Sequence, residues 1–151
     1  MSIVGPESIG FLIVDLARLF RQEFERAVAA EGLEVTAGEA RTLLYVSLSE
    51  GIRQSALADR MRVEPMTLSN FLDRLEGRGL IRRRPDPRDR RAKQVTITAA
   101  AQPLVERIHA LAARVRAHAA RGLSPAEMET FRRTLQALRY NLTETGERDA
   151  A

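Results

Sequence analysis

The chain has 151 residues, with 24 Lys+Arg against 20 Asp+Glu and a formal net charge of +4. This length predicts one domain, and 44% hydrophobic with 29% charged residues is typical of a folded globular protein rather than a disordered one. The absence of cysteine excludes disulfides, thiolate metal sites and thiol redox chemistry. No window approaches 18 uncharged apolar residues, and the N-terminal region lacks the pattern of an export signal. We therefore predict no membrane span and a cytoplasmic location.

The first predicted element is a long amphipathic helix that ends at Gly32. Its apolar residues recur every three or four positions: Ile9, Leu12, Ile13, Leu16, Leu19, Phe20 and Phe24. Thr36 and Glu39 then match a capping box, which predicts the start of a second helix. That helix should bury residues 43–46 and end at Gly51.

Two short helices follow. Residues 54–60 predict a helix of two turns that buries Leu57, Ala58 and Met61. Pro65 suits the first turn of the next helix, which should run to Arg78. This helix carries its apolar residues on one face: Leu68, Phe71, Leu72 and Leu75. Two short helices joined by a tight turn are typical of a helix-turn-helix.

A β-hairpin is predicted directly behind these helices. Residues 94–98 alternate polar and apolar side chains, and residues 80–84 can pair with them. The intervening residues 85–91 contain two prolines and two aspartates, which predicts a loop.

The chain then returns to helix from Ala99. Leu104, Ile108, Leu111 and Val115 form one stripe, and Gly122 should end the helix. A second capping box, Ser124 to Glu127, predicts a last helix with a narrow apolar seam formed by Met128, Phe131, Leu135, Leu138 and Leu142. We expect residues 144–151 to form a frayed tail.

The positive charge is concentrated on the short elements. Residues 51–98 hold twelve basic and six acidic side chains, a net of +6, whereas the rest of the chain has a net of −2. Eight of the basic residues fall in 78–93. A charge run alone is more often a solvated basic face than a binding site. Its position on a hairpin behind a helix-turn-helix favours DNA binding, because arginine binds both phosphates and base edges.

Four stretches, residues 53–58, 67–76, 79–81 and 86–93, resemble the winged helix-turn-helix of the MarR/SlyA-like family of bacterial transcription regulators. The last stretch, Asp-Pro-Arg-Asp-Arg-Arg-Ala-Lys, is similar to the wing motif of that family. The resemblance implies a mainly α fold with a small β-hairpin wing (α+β). It also implies a single domain over 1–151, with a winged module at 36–98 and dimerisation helices at 8–32 and 99–143.

The resemblance also implies roles for individual residues. Residues 65–78 look like a recognition helix for the major groove, with Met66, Thr67, Ser69, Asn70 and Arg74 as candidate DNA contacts. Asn70 can pair with adenine through two hydrogen bonds, although many relatives have arginine at this position. Arg74 could contact a phosphate or pair with Asp73 or Glu76. Gln54 and Ser55 are candidate phosphate anchors.

In the wing, Arg88, Arg90 and Arg91 are the candidate DNA-binding residues, with Arg88 and Arg90 best suited to the minor groove. Arg91 could instead have a structural role. Asp86 and Asp89 are unsuited to DNA, and we expect them to support the wing by ion pairs and by hydrogen bonds to the turn backbone.

The family further implies a homodimer that binds an inverted-repeat operator on double-stranded DNA as a repressor or, less often, an activator, released by a small, often aromatic or anionic, effector. The apolar stripes of the first and last helices support a dimer, although they could also pack within the monomer. Phe11, Arg18 and Tyr45 could line an effector cleft, or be ordinary packing and surface residues, so the effector site stays unassigned.

Other function classes find less support. The chain has no glycine-rich phosphate loop, nucleophile elbow or cluster of metal ligands, so we predict no enzyme activity, no cofactor and no metal site. His109 and His118 are nine residues apart, which places them out of phase on a helix. The alternative function is a ligand-binding or protein-interaction module that has kept the fold and lost operator binding.

Overall fold

The structure, a computed structural model, describes residues 8–148 and has six α-helices and three β-strands in that range. The helices are α1 (Ile9–Glu31), α2 (Ala37–Ser47), α3 (Gln54–Met61), α4 (Pro65–Gly77), α5 (Gln102–Ala119) and α6 (Pro125–Arg148). The strands are β1 (Ile52–Arg53), β2 (Ile81–Pro85) and β3 (Lys93–Ile97). The chain forms two compact units that divide within α5, between Val115 and Arg116. The predicted fold class, mainly α with a β-hairpin wing, is confirmed.

Local capping signals set several helix ends. The Thr36 hydroxyl accepts a hydrogen bond from the Glu39 amide at 3.2 Å, and the Glu39 carboxylate accepts one from the Thr36 amide at 2.9 Å. Ser124 and Glu127 repeat this exchange at 3.2 and 2.7 Å. Both predicted capping boxes are therefore confirmed. Gly32 ends α1 in the left-handed conformation, with φ of 63°.

The predicted end of α2 at Gly51 is wrong. The helix ends at Ser47, where the Leu48 amide bonds to the carbonyls of Leu44 and Val46. Gly51, with φ of 74°, instead forms the turn into β1, a strand that was not predicted. This strand has only two residues and exists because it pairs with β3, so no local pattern indicates it.

The C-terminal predictions need two corrections. The chain after Ala99 begins as a short 3-10 helix, Ala99–Ala101, before α5 starts. The predicted frayed tail is helical as far as Arg148, as a continuation of α6. Residues 149–151 of that tail lie outside the described residues. None of the helices in the described range could cross a membrane.

The hydrophobic core lies in the first unit, around the inner face of α4. Leu68, Leu72 and Leu75 are fully buried, in agreement with the predicted apolar face. They belong to one cluster with buried residues of the neighbouring elements: Leu43, Val46, Leu57, Met61, Ile81, Val95 and Ile108. This packing fixes α4 on α2, α3 and the sheet.

The sheet has the order β1-β3-β2, with all strands antiparallel. Ile52, Val95 and Arg83 lie directly opposite one another across the three strands, on the face that contains buried Val95. The next row, Arg53, Gln94 and Arg84, therefore projects from the outer face, because successive side chains of a strand alternate.

Close contact between α2 and α4 depends on Gly38. A Cβ at this position would lie 2.3 Å from Cζ of the Phe71 ring, well inside van der Waals contact. The missing side chain of Gly38 thus leaves space for an aromatic ring on α4.

We expect Gly38→Ala to lower the free energy of unfolding. Overpacking costs about 1–3 kcal/mol, which exceeds the gain of up to ~1 kcal/mol in helix propensity from glycine to alanine. Urea unfolding at matched protein concentration measures the change. Gly77→Ala is the control, because Gly77 also lies in a helix but has nothing within 4 Å of the added Cβ. Equal stability of Gly38→Ala and wild type would contradict this packing argument.

Candidate nucleic-acid interface

The N-terminal half of α4 presents polar side chains to solvent. Met66 is 73% exposed, Thr67 and Asn70 are exposed, and Ser69 is half-buried. Their exposure follows from the burial of the opposite face of α4, because an α-helix has 3.6 residues per turn and neighbouring positions therefore point in different directions. Three of these predicted contact residues are therefore exposed to an external partner, and Ser69 is partly accessible.

Arg74 follows one turn later on α4. Its Nη1 lies 3.7 Å from Oε1 of Glu39, and its side chain is 63% exposed. Asp73 and Glu76, the acidic neighbours proposed as partners, bind Arg83 instead. Since Arg74 is only loosely paired with Glu39, it stays accessible to a phosphate.

The Asp86 carboxylate is the most densely bonded group of the wing. Its side chain is 4% exposed, and Oδ2 accepts hydrogen bonds from Arg53 Nε at 2.7 Å and from Gln94 Nε2 at 3.0 Å. Oδ1 accepts the amides of Arg88 and Asp89 at 2.7 and 3.1 Å. The bond from Arg53 and those from the loop amides hold the pKa of Asp86 well below its usual range. This one carboxylate ties the wing loop to β1 and β3.

Asp89 continues this arrangement along the loop. Its carboxylate accepts the amide of Arg91 at 3.0 Å, and its carbonyl accepts the amide of Ala92 at 2.9 Å. The Asp86 amide in turn donates to the carbonyl of Ala92 at 2.8 Å. The loop backbone is thus fixed by its two aspartates, as Asx-type turns are.

The wing arginines differ from these aspartates in having free side chains. Arg88, Arg90 and Arg91 are exposed, and within residues 8–148 their guanidinium groups make neither a hydrogen bond nor an ion pair. The loop backbone is therefore ordered while its cationic side chains are available to an anionic partner.

Arg83, on β2, links the wing to α4. Its Nε and Nη2 bind Oε2 of Glu76 at 2.9 and 2.6 Å, and Nη2 also lies 2.6 Å from Oδ1 of Asp73. The Arg83 amide donates to Oε1 of Glu76 at 3.0 Å, and the pKa of Glu76 is lowered mainly by its bonds with Arg83. Only 15% of the Arg83 side chain is exposed, so this arginine holds the strand against the helix.

Gln54 and Ser55 begin α3, directly after β1. Ser55 is exposed and Gln54 is half-buried. Because these residues form the first turn of α3, they lie at a helix N-terminus, where amide groups without helical partners favour an anion.

The candidate effector residues lie on two helices, α1 and α2, in different surroundings. Phe11 and Arg18 lie exposed on α1, where Arg18 binds Asp15 and Gln22, and Tyr45 packs against the core from α2. The groove nearest His109 has a volume of about 450 Å³ and is lined by other residues: Ser47, Glu50, Ile97, Gln102, Val105, Glu106 and His109.

The two histidines have separate surroundings. Nε2 of His109 lies 2.8 Å from the Ser47 hydroxyl, which itself donates to the Leu44 carbonyl, and His118 is exposed near the end of α5. Within the part of the chain that the structure describes, no three His, Cys, Asp or Glu residues are placed to hold a metal ion.

Comparison with known proteins identifies this arrangement. The MarR family model matches residues 35–93, the region of the helices and wing described above. The transcriptional regulator PA3341 is 32% identical, with 89% of this chain and 98% of that chain covered and a TM-score of 0.74. The chain belongs to the MarR family.

Other solved structures have the same fold. A MarR-family regulator from Rhodococcus sp. RHA1 is 26% identical over 91% of this chain and 96% of its own, with a TM-score of 0.71. BpsR of Bordetella bronchiseptica, whose DNA binding is regulated by 6-hydroxynicotinic acid, shares the fold. It is 22% identical over 92% of this chain and 98% of its own, with a TM-score of 0.68.

Sequence reasoning missed two residues of this MarR-family module, Arg53 and Arg83. For Arg83 a signal was present: it falls between Ile81 and Pro85 on the inward-facing positions of β2, where an arginine needs a partner. For Arg53 there was no such signal, because its partner Asp86 lies 33 residues away.

We expect Asp86→Asn to be less stable than wild type at pH 7. Because the folded protein lowers the pKa of Asp86, the ionised carboxylate contributes stability above its ordinary pKa of ~3.9, and this contribution is lost as the pH falls further. The difference in urea midpoint between wild type and Asp86→Asn should therefore shrink below about pH 4. Asp59→Asn, on exposed α3 surface, is the control and should show a smaller difference at pH 7. A difference for Asp86→Asn that grows on acidification would contradict the assigned role.

Proposed function

We propose that this MarR-family protein is a transcriptional repressor that binds an inverted-repeat operator as a homodimer. The proposal rests on one observation: an exposed polar surface on α4 and three unpaired arginines on an ordered wing occur in a single winged module. Regulators of this family are generally not enzymes, and a DNA-binding function implies action in the cytoplasm.

In this proposal α4 is the recognition helix in the major groove. Asn70 pairs with an adenine through its amide, and Thr67 and Ser69 bond to base edges or phosphates. Met66 contacts an apolar base edge such as the thymine methyl group. Arg74, one turn further from the helix start, contacts a phosphate, as do Gln54 and Ser55 at the start of α3.

The wing contributes the second contact, in the minor groove. Arg88 and Arg90 are free of partners and carry permanent charge, and the negative potential of a narrow minor groove attracts such side chains. Arg91 binds a phosphate of the adjacent DNA backbone. Asp86 and Asp89 stay out of the DNA contact and hold the loop.

Apolar surface on α1 supports the homodimer. Ile9, Leu12, Ile13, Leu16 and Leu19 are each between 37 and 68% exposed, although they form one stripe of the helix. On α6, Phe131, Leu138 and Leu142 are also exposed. Patches of this kind mark interaction sites. A second copy with two-fold symmetry would cover them and place two recognition helices one DNA turn apart.

We further propose that a small aromatic or anionic molecule releases the protein from DNA. The support is the similarly folded BpsR, whose DNA binding is regulated by 6-hydroxynicotinic acid. A screen of phenolic and anionic metabolites for release of a duplex selected from a random pool tests this step.

Selection of duplexes from a random pool tests the proposed function as a whole. We expect the recovered sequences to share an inverted repeat, bound with a steep salt dependence. Recovery of no shared sequence would instead support the interaction module that has lost operator binding.

Arg88→Ala combined with Arg90→Ala should weaken operator binding by more than about tenfold at moderate salt, since two cationic contacts are lost. The slope of log affinity against log salt should fall by up to about two. Fluorescence anisotropy over a salt series measures both. Arg116→Ala with Arg121→Ala removes the same charge outside the winged module and should have little effect. Unchanged affinity of the wing variant would show that the wing assignment is wrong.

Leu16→Glu should weaken the dimer by about a hundredfold or more, because it places a charge at the centre of an apolar interface. Sedimentation equilibrium measures the dissociation constant. Gln22→Glu introduces the same charge on α1 outside this apolar stripe, beside Arg18, and should leave the dimer intact. If both variants remain dimeric to the same extent, the α1 stripe is not the interface.

A further inference from the structure

A groove lies at the base of the wing, where β1, β3 and the wing loop meet. Its volume is about 600 Å³, and it is lined by Gly51, Arg53, Asp86, Pro87, Arg88 and Gln94. Asp86, the one acidic residue of this wing-base groove, already accepts four hydrogen bonds. With two arginines and a carboxylate that is fully engaged, the groove is suited to an anion.

Arg53 is held in this groove by one side of its guanidinium group. Nε donates to the buried Asp86 carboxylate, and within residues 8–148 the two terminal nitrogens have no hydrogen bond. The side chain is 43% exposed. Arg53 is therefore oriented by the protein and still has its outer nitrogens free for a ligand.

The start of α3 adds a second favourable feature. Arg53 is the N-cap residue of this helix and makes no side-chain capping bond to it. The amides of the first turn thus lack a side-chain acceptor, and they carry the partial positive charge of a helix N-terminus. A phosphate beside Arg53 would meet both the guanidinium group and this end of α3.

We propose that the wing-base groove binds one phosphate group of the DNA duplex, with Arg53 as the ligand and Asp86 as its positioning residue. This inference rests on the proposed function. It adds a third DNA contact to those of the recognition helix and the wing tip. Arginine suits this contact because its planar donor group binds two phosphate oxygens at once. A phosphate held at the base of the wing also fixes the register of the wing on the backbone.

Single methylphosphonate replacements in one half-site of the selected duplex test this contact. Each replacement removes the charge of one phosphate. For wild type we expect one position, in addition to those read by the wing tip and α4, at which the replacement weakens binding about tenfold. In Arg53→Gln the same replacement should change the affinity less than about twofold, because its partner is already lost.

Two variants control for charge and for folding. Arg82→Gln removes the same charge from the same outer face of the sheet, but Arg82 pairs with Thr96, outside the groove, whereas Arg53 pairs with Gln94. Binding by Arg82→Gln should therefore still be weakened when the same phosphate is replaced. Arg53→Lys keeps the charge but lacks the Nε that Asp86 binds, so the effect at this phosphate should shrink without disappearing. Thermal melting verifies that each variant is folded. If Arg53→Gln is not folded, Arg53→Lys tests the phosphate contact in its place.

The outcomes separate this inference from the proposed function. A wild-type protein that binds a specific duplex, together with an Arg53→Gln profile identical to wild type at every phosphate, overturns the phosphate contact alone. A wild-type protein that binds no selected duplex overturns both. Inorganic phosphate at constant ionic strength tests a free anion as the source. Binding with a dissociation constant below about 1 mM that Arg53→Gln abolishes would assign the groove to a free oxyanion and overturn the DNA contact.

Discussion

Burial of one face of α4 determines what the other face of the helix can contact. Leu68, Leu72 and Leu75 are fully buried, and each contributes roughly 1.5–3 kcal/mol relative to an exposed side chain. Any rotation of the helix about its axis would bring part of this surface into water. The exposed positions of Thr67 and Asn70 are therefore set by hydrophobic packing, and their polar chemistry is presented in a fixed direction.

The arginine excess of the winged module has two different uses. Arg53 and Arg83 are paired with carboxylates and join the sheet to the wing loop and to α4. Arg88, Arg90 and Arg91 have no such partner within residues 8–148. The net charge of the module does not distinguish these groups. The distinction matters because a guanidinium nitrogen binds phosphate without losing a bond within the protein only where that nitrogen is unpaired, as in these three arginines and at the two terminal nitrogens of Arg53.

What the sequence predicted depended on how far apart the interacting residues are. The capping boxes at Thr36 and Ser124 join residues three apart, so they are visible in a short window and both are confirmed. The Arg53–Asp86 bond spans 33 residues, and β1 exists only through its register with β3. Such contacts follow from the packing of the whole sheet, which no local pattern encodes. The DNA contacts of Asn70 and the wing stay predictions, because exposure and charge are properties of this chain alone.

Dimerisation through the apolar face of α1 would double the number of times that each DNA contact of the winged module is made. In the proposed dimer two modules bind one duplex, so each contact occurs once in every half-site. A change in the DNA at one half-site removes the contact once, whereas a substitution such as Arg53→Gln removes it twice. Independent sites contribute additively to the binding free energy, so a contact worth about tenfold per half-site is worth roughly a hundredfold per dimer. Substitutions that separate the protomers should therefore weaken operator binding even when every DNA-contacting side chain is intact.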